Sequence, residues 1–219
     1  MAIPDAEFYR PLFSPWLDYG EFRYIVAKAA STTLVSRERC YVLYSLTRQA
    51  LGLTGDIWEC GVYKGGTAAM LAETIAVMAS DPRPRLRLFD TFSGMPNTNP
   101  DKDLHQAGDF ADTSLDQVKA IVGHEEAVTY HPGLIPDTFK GLETSKIAMA
   151  HIDVDLYQSV IDCCDFIFPR LSLGGFMVFD DYGFASCPGA RAAVDEYFSE
   201  TNAFPLVLPT GQAVVFKSR

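Results

Sequence analysis

Two stretches constrain the fold of this chain more than any others. Ala148–Ile152 runs into Asp153, Val154 and Asp155, and Gly174–Phe179 runs into Asp180 and Asp181. Each is a largely apolar run that breaks off in acids. A strand buried on both faces of a parallel sheet reads as such a run. Open α/β sheets gather their ligands at the carboxyl ends of the strands. Two neighbouring strands of this kind would present Asp153 and the Asp180–Asp181 pair to one place. Clustered carboxylates repel unless a positive charge lies among them. A hard cation such as Mg²⁺ takes oxygen ligands and keeps places for water or substrate oxygens. Asp153, Asp180 and Asp181 are therefore candidate metal ligands. Capping of the helices that follow is the competing role, and Asp155 is placed to cap the next one.

The rest of the chain supports a sheet of this type. Strands are predicted at Asp56–Val62, Arg85–Asp90, Ala127–His131, Lys146–Asp153 and Gly175–Asp180. Between and around them, helical spacing of apolar residues predicts helices from Ser36, from Gly65–Gly66 to Ala79, over Ser114–Val122, Leu156–Leu171 and Gly189–Glu200. Two short strands, Pro205–Leu208 and Gln212–Phe216, close the chain around a Pro209–Gly211 turn. Strand–helix alternation predicts a doubly wound, Rossmann-like α/β sheet, mostly parallel, and the final hairpin supplies an antiparallel strand. Residues 91–112 form a long polar loop, of a length typical of lids and binding loops. Residues 1–35 read as an aromatic arm, a lid or dimer contact carrying Phe8, Tyr9, Phe13, Trp16, Tyr19, Phe22 and Tyr24. Residues 36–219 read as the domain proper, so a homo-oligomer, as a dimer, is expected.

Composition excludes several classes. Eighteen basic residues stand against 28 acidic ones, with no Lys/Arg tract, which argues against a nucleic-acid partner. No apolar run is long enough to span a bilayer, so no membrane partner is expected. The N-terminus lacks a secretory pattern, and the five cysteines are odd in number with no CxxC spacing. Free thiols in a reducing cytoplasm follow.

A second constellation lies at Glu59–Thr67, with Gly61, Gly65 and Gly66 between a strand and a helix. Glycines there let a ligand approach the backbone, and the helix N-terminus favours an anionic group. The stretch matches neither a P-loop nor a clean GxGxxG. Asp90 ends the second strand, placed to accept from ribose hydroxyls. His105, in the long loop, is placed to reach a substrate. His151 lies two residues before Asp153 and shares its face, as a core or supporting residue. No GxSxG elbow occurs.

Taken together, these residues resemble the macrocin O-methyltransferase-like (TylF-type) family, from about Thr33 to Phe216. The resemblance rests on Ser36–Arg39, Glu59–Gly66, Phe89–Pro96, His151–Tyr157, and Gly174–Phe176 leading to Asp180–Tyr182. It implies a seven-stranded class I methyltransferase fold with an antiparallel C-terminal strand. It implies S-adenosylmethionine as cofactor, with Glu59, Gly61, Gly65 and Thr67 around its methionine part. Asp90 and Ser93 would lie at the ribose side, and Thr33 and Ser36 over the cofactor. It implies Mg²⁺, or another divalent cation, on Asp153, Asp180 and Asp181, and a small hydroxylated acceptor: a sugar, phenol or polyketide hydroxyl of a natural product. The general base is left to Asp153 or His105. Two other readings are an inactive cofactor-binding partner subunit on the same fold and a nicotinamide-dependent sugar oxidoreductase. The second leaves the strand-end acids unexplained.

Overall fold

The computed structural model describes residues 13–29 and 31–218. Phe8 and Tyr9 of the aromatic arm lie outside them. Seven strands form one sheet: β1 (Asp56–Cys60), β2 (Leu86–Asp90), β3 (Val128–Pro132), β4 (Ile147–Ile152), β5 (Leu171–Phe179), β6 (Leu206–Val207) and β7 (Ala213–Phe216). Their order across the sheet is β3-β2-β1-β4-β5-β7-β6. The first five in that order run parallel, β7 is antiparallel to β5, and β6 is antiparallel to β7. The chain winds outward from β1 to β3, then returns to lay β4 on the other side of β1. The order reverses between β1 and β4, and a crevice opens at their carboxyl ends.

Alternating side chains feed two cores. Ile57, Leu86, Leu88, Met149, Phe176 and Val178 face one side, covered by α1 (Phe22–Val26), α2 (Arg37–Ala50), α3 (Gly66–Met78) and α4 (Leu115–Val122). Trp58, Phe89, Ala150, Ile152, Met177 and Phe179 face the other, covered by α5 (Tyr157–Ile167) and α6 (Pro188–Ser199). Trp58 lies 4.6 Å from Phe89 and 5.7 Å from Phe139, ring centre to ring centre. Each such buried aromatic contributes roughly 1.5–3 kcal/mol by leaving water.

Part of the aromatic arm is ordinary packing: Phe22 is buried and meets Tyr41 edge-on at 5.1 Å, while Phe13, Tyr19 and Tyr24 are exposed. Two boundaries differ from the sequence reading by more than two residues. α5 stops at Ile167 rather than Leu171, because Pro169 falls in a tight turn, Phe168–Arg170, that follows. β5 consequently starts at Leu171 rather than Gly175, passing through Gly174 and Gly175, which hid the strand. All five cysteines are buried and free. Among the described residues no helix is long and apolar enough to cross a membrane.

Candidate active site

The crevice at the reversal point is a cavity of about 290 Å³. One wall is the turn after β1. There Gly61 donates to Phe89 O at 2.9 Å, and Asp153 N donates to Cys60 O at 2.8 Å, so the ends of β1, β2 and β4 are stitched together. Gly66, at the start of α3, passes so close to Thr32 and Thr33 that a Cβ would lie 2.7 Å from Thr33 N. The segment before α2 is thereby drawn over the cavity.

Of the residues expected to hold a cofactor, Thr33, Gly61, Thr67 and Asp90 line this cavity, whereas Ser36, Glu59, Gly65 and Ser93 do not. Ser36 caps α2, accepting from Arg39 N at 3.4 Å. Gly65 precedes α3 and packs against Val118 and Val122. Ser93 is exposed. Asp90 is heavily used within the chain. Its Oδ2 accepts from Val62 N (2.7 Å) and Tyr63 N (3.1 Å), and its Oδ1 from Phe92 N (2.6 Å) and Thr91 Oγ1 (3.4 Å). Its carboxylate therefore braces the glycine turn, and only the long Thr91 contact is readily exchanged for another hydroxyl.

The opposite wall carries the acids. Glu59 and His151 are register partners on adjacent strands, fully buried, with His151 Nδ1 2.9 Å from Glu59 Oε1. His151 Nε2 lies 3.5 Å from Asp180 Oδ1. Asp180 also pairs with Arg39 of α2 and accepts from Gln212 Nε2 at 2.8 Å. This buried chain from Glu59 to Arg39 supports the site from beneath.

Sequence reasoning missed Arg39 and Gln212. Arg39 lies within the Ser36–Arg39 stretch that carries the resemblance, but among Arg37 and Glu38 in the first turn of α2 nothing local marks it as a site residue. Burial alone lowers the pKa of His151, but the Asp180 and Glu59 carboxylates outweigh it and hold the imidazole well up. Burial pushes Asp153 well up, with Asp180 and Asp181 adding to it. Burial, then Asp155 and Asp180, does the same to Asp181. Burial would also raise Asp180, but His151 and Arg39 hold it low.

A carboxylate oxygen of Asp153, one of Asp180 and a ring nitrogen of His151 fall within 4.8 Å of one another. Among the described residues neither Asp153 nor Asp181 forms an ion pair. Hard oxygen donors with surplus negative charge fit a divalent cation.

Asp155 does not cap α5. The cap comes from the long loop: Asp103 Oδ1 accepts from Tyr157 N at 2.8 Å, and its Oδ2 accepts from Asn99 N at 3.1 Å. This pins the 91–112 loop beside the cavity, which His105, Met95, Pro96 and Phe110 help to line. His105 is oriented by Asp109, whose Oδ2 lies 3.1 Å from Nδ1.

With this geometry, residues 27–210 match the sequence profile of the Macrocin-O-methyltransferase (TylF) family. The chain belongs to that family. Among its relatives, the mycinamicin III 3''-O-methyltransferase of Micromonospora griseorubida is 33% identical over 181 residues, 75% of this chain and 69% of that enzyme. The 8-demethyl-8-(2,3-dimethoxy-alpha-L-rhamnosyl)-tetracenomycin-C 4'-O-methyltransferase of Streptomyces olivaceus is 32% identical over 157 residues, 67% of this chain. The match spans 59% of the length of that relative. The fold is also that of the O-methyltransferase NovP (TM-score 0.74, 24% identity, 86% of this chain and 83% of NovP). The calicheamicin methyltransferase CalS11 is similar in fold (TM-score 0.73, 21% identity, 91% of this chain and 93% of CalS11). The seven-stranded class I sheet with its antiparallel end is thus common to this TylF-family chain and these enzymes.

Proposed function

We propose that this chain is an S-adenosylmethionine-dependent O-methyltransferase acting on a hydroxyl of a small natural product, with Mg²⁺ or another divalent cation at the acids. One observation carries the reading: Gly61, Thr67 and Asp90 on one wall and Asp153, Asp180 and Asp181 on the other line a single cavity. S-adenosylmethionine held by Gly61, Thr67 and Asp90 would supply an electrophilic methyl group on a positively charged sulfur. Asp153, Asp180 and Asp181 would hold the cation, which would supply Lewis acidity that lowers the pKa of an acceptor hydroxyl.

The chain's own residues do the rest. The backbone turn at Gly61 leaves room for the cofactor, and Thr33 and Thr67 add polar contacts. Ile135, Met95 and Phe110 give the cavity an apolar lining that limits water at the reacting groups. His105 Nε2, held by Asp109, takes the acceptor proton, with Asp153 as the alternative base. The Streptomyces olivaceus relative is named for a rhamnosyl-bearing substrate, which supports a glycosylated acceptor as the first to test. Cytoplasmic location and a homodimer formed through the arm of residues 1–35 belong to the same reading.

The test is release of S-adenosylhomocysteine with a panel of glycosylated, phenolic and polyketide acceptors, with Mg²⁺ and with a chelator. Turnover that stops with chelation supports the reading. Turnover indifferent to chelation removes the cation, and failure to bind S-adenosylmethionine at all removes the enzyme.

A further inference from the structure

A second cluster stands at the mouth of the cavity, on three separate elements. His105 comes from the 91–112 loop, Asp155 from the turn between β4 and α5, and Cys187 from the residue that starts α6. Cys187 Sγ lies 3.1 Å from Asp155 Oδ1 and 3.8 Å from His105 Nε2, and that nitrogen is 3.8 Å from Asp155 Oδ1. Tetrahedral zinc, with bonds of 2.3 Å to sulfur and 2.0–2.1 Å to nitrogen or oxygen, needs ligand separations of about 3.3–3.6 Å. Each observed separation is within about half an ångström of that range.

The supporting contacts are also those of a metal site. Asp109 Oδ2 lies 3.1 Å from His105 Nδ1 and also accepts from Gln106 N at 3.0 Å. A carboxylate behind a histidine in this way fixes the ring so that its other nitrogen faces the metal. Asp155 is held with φ of 58°, and its N donates to Asp181 Oδ2 at 3.2 Å. Cys187 is buried, and its N donates to Phe184 O at 3.1 Å.

We propose that His105, Asp155 and Cys187 form a second metal site, selective for a soft or borderline divalent cation such as Zn²⁺, with its fourth position open to the cavity. The donor sets separate the two sites. Aspartate oxygens suit Mg²⁺, while thiolate and imidazole select zinc and its neighbours. Coordination replaces the S–H bond of Cys187 with a metal–sulfur bond, and the proton goes to solvent. Such a cation ties the 91–112 loop to the start of α6. In so far as the proposed methyl transfer uses His105 as base, it also inhibits that transfer by taking Nε2.

Co²⁺ is the probe, since a cobalt–thiolate bond gives a near-ultraviolet charge-transfer band and needs no acceptor or turnover. Metal-free protein is titrated with Co²⁺ in excess Mg²⁺. The expected result is a band that saturates at one equivalent and is displaced by Zn²⁺. The band is absent in Cys187→Ser and retained in Asp180→Asn. His105→Gln, in a surface loop, weakens binding at least ~10-fold, and Asp109→Asn weakens it by about 10–100-fold. Cobalt binding without the band, a band that survives Cys187→Ser, or one lost in Asp180→Asn overturns the proposal. Because the readout is independent of methyl transfer, its failure leaves the proposed enzyme activity standing, and the converse also holds.

Discussion

Gly61→Ala tests the joint between the two walls of the cavity. Gly61 has φ of 86°, and a Cβ there would lie 1.8 Å from Asp153 O. Two penalties add. An L side chain in the left-handed region costs about 1–2 kcal/mol. Forcing a carbon against packed backbone costs typically 1–3 kcal/mol more. The expected loss is therefore about 2–5 kcal/mol, a large share of a typical folding stability of ~5–15 kcal/mol. For a chain of this size it lowers Tm by roughly 2–4 °C per kcal/mol.

Gly141→Ala is the control. Its φ is 83°, but nothing lies within 4 Å of the added carbon, so it carries the backbone penalty alone. The assay is thermal and urea unfolding of both variants beside the parent. The clash predicts that Gly61→Ala is the worse by about 1–3 kcal/mol. The survivor should also bind divalent cation more weakly, because relief of the clash moves the Asp153 backbone. Equal destabilisation by the two variants, with cation binding intact, refutes the reasoning.

Three further outcomes follow from the same structure. Arg39→Met removes one of the two cations beside the fully buried Asp180 and leaves His151, so the loss stays below the about 3–5 kcal/mol of a buried pair broken outright. Mg²⁺ should then raise the Tm of the variant more than that of the parent, and equal shifts would remove Asp180 from the cation site. Ser36→Ala should cost about 0.5–2 kcal/mol through loss of the α2 cap, with S-adenosylmethionine affinity unchanged. A selective loss of affinity would return Ser36 to the cofactor.

His131 stacks on Phe89 at 4.5 Å, and burial, then Arg87, holds its pKa below the usual histidine value. The unfolded chain takes up this proton near pH ~6.5, before the folded chain does. Stability is thus full above that pH and falls as pH drops through the window down to the lower folded pKa. His131→Phe should lose less stability across this window than the parent, and parallel pH curves would contradict the assignment.

Why these elements could be read from the chain, and the supporting contacts could not, has a physical basis. β4 and the end of β5 are apolar runs followed at once by acids, and burial on both faces of a parallel sheet demands that pattern. Asp153 and the Asp180–Asp181 pair stand out because carboxylates directly after apolar strands are costly to bury without partners. The first half of β5 was hidden because Ser172, Gly174 and Gly175 carry no strand signal, and the tight turn around Pro169 looked helical. Partners set by tertiary packing leave no local trace. Arg39 meets Asp180 across 141 residues, and Asp103 caps α5 from 54 residues away. Asp155 looked like that cap because it was nearer in sequence. Glu59, which the resemblance placed at the cofactor, is turned by strand alternation against His151, and its Oε2 has no partner among the described residues.

The central claim is that one cavity holds a methyl-donating cofactor and a divalent cation side by side. The most direct measurement is calorimetric titration of S-adenosylmethionine, and then Mg²⁺, into metal-free protein, with Asp180→Asn in parallel. The account predicts that both proteins bind S-adenosylmethionine and that only the parent binds Mg²⁺ at the acids. Absence of S-adenosylmethionine binding by the folded parent, or Mg²⁺ binding that Asp180→Asn leaves intact, would contradict it.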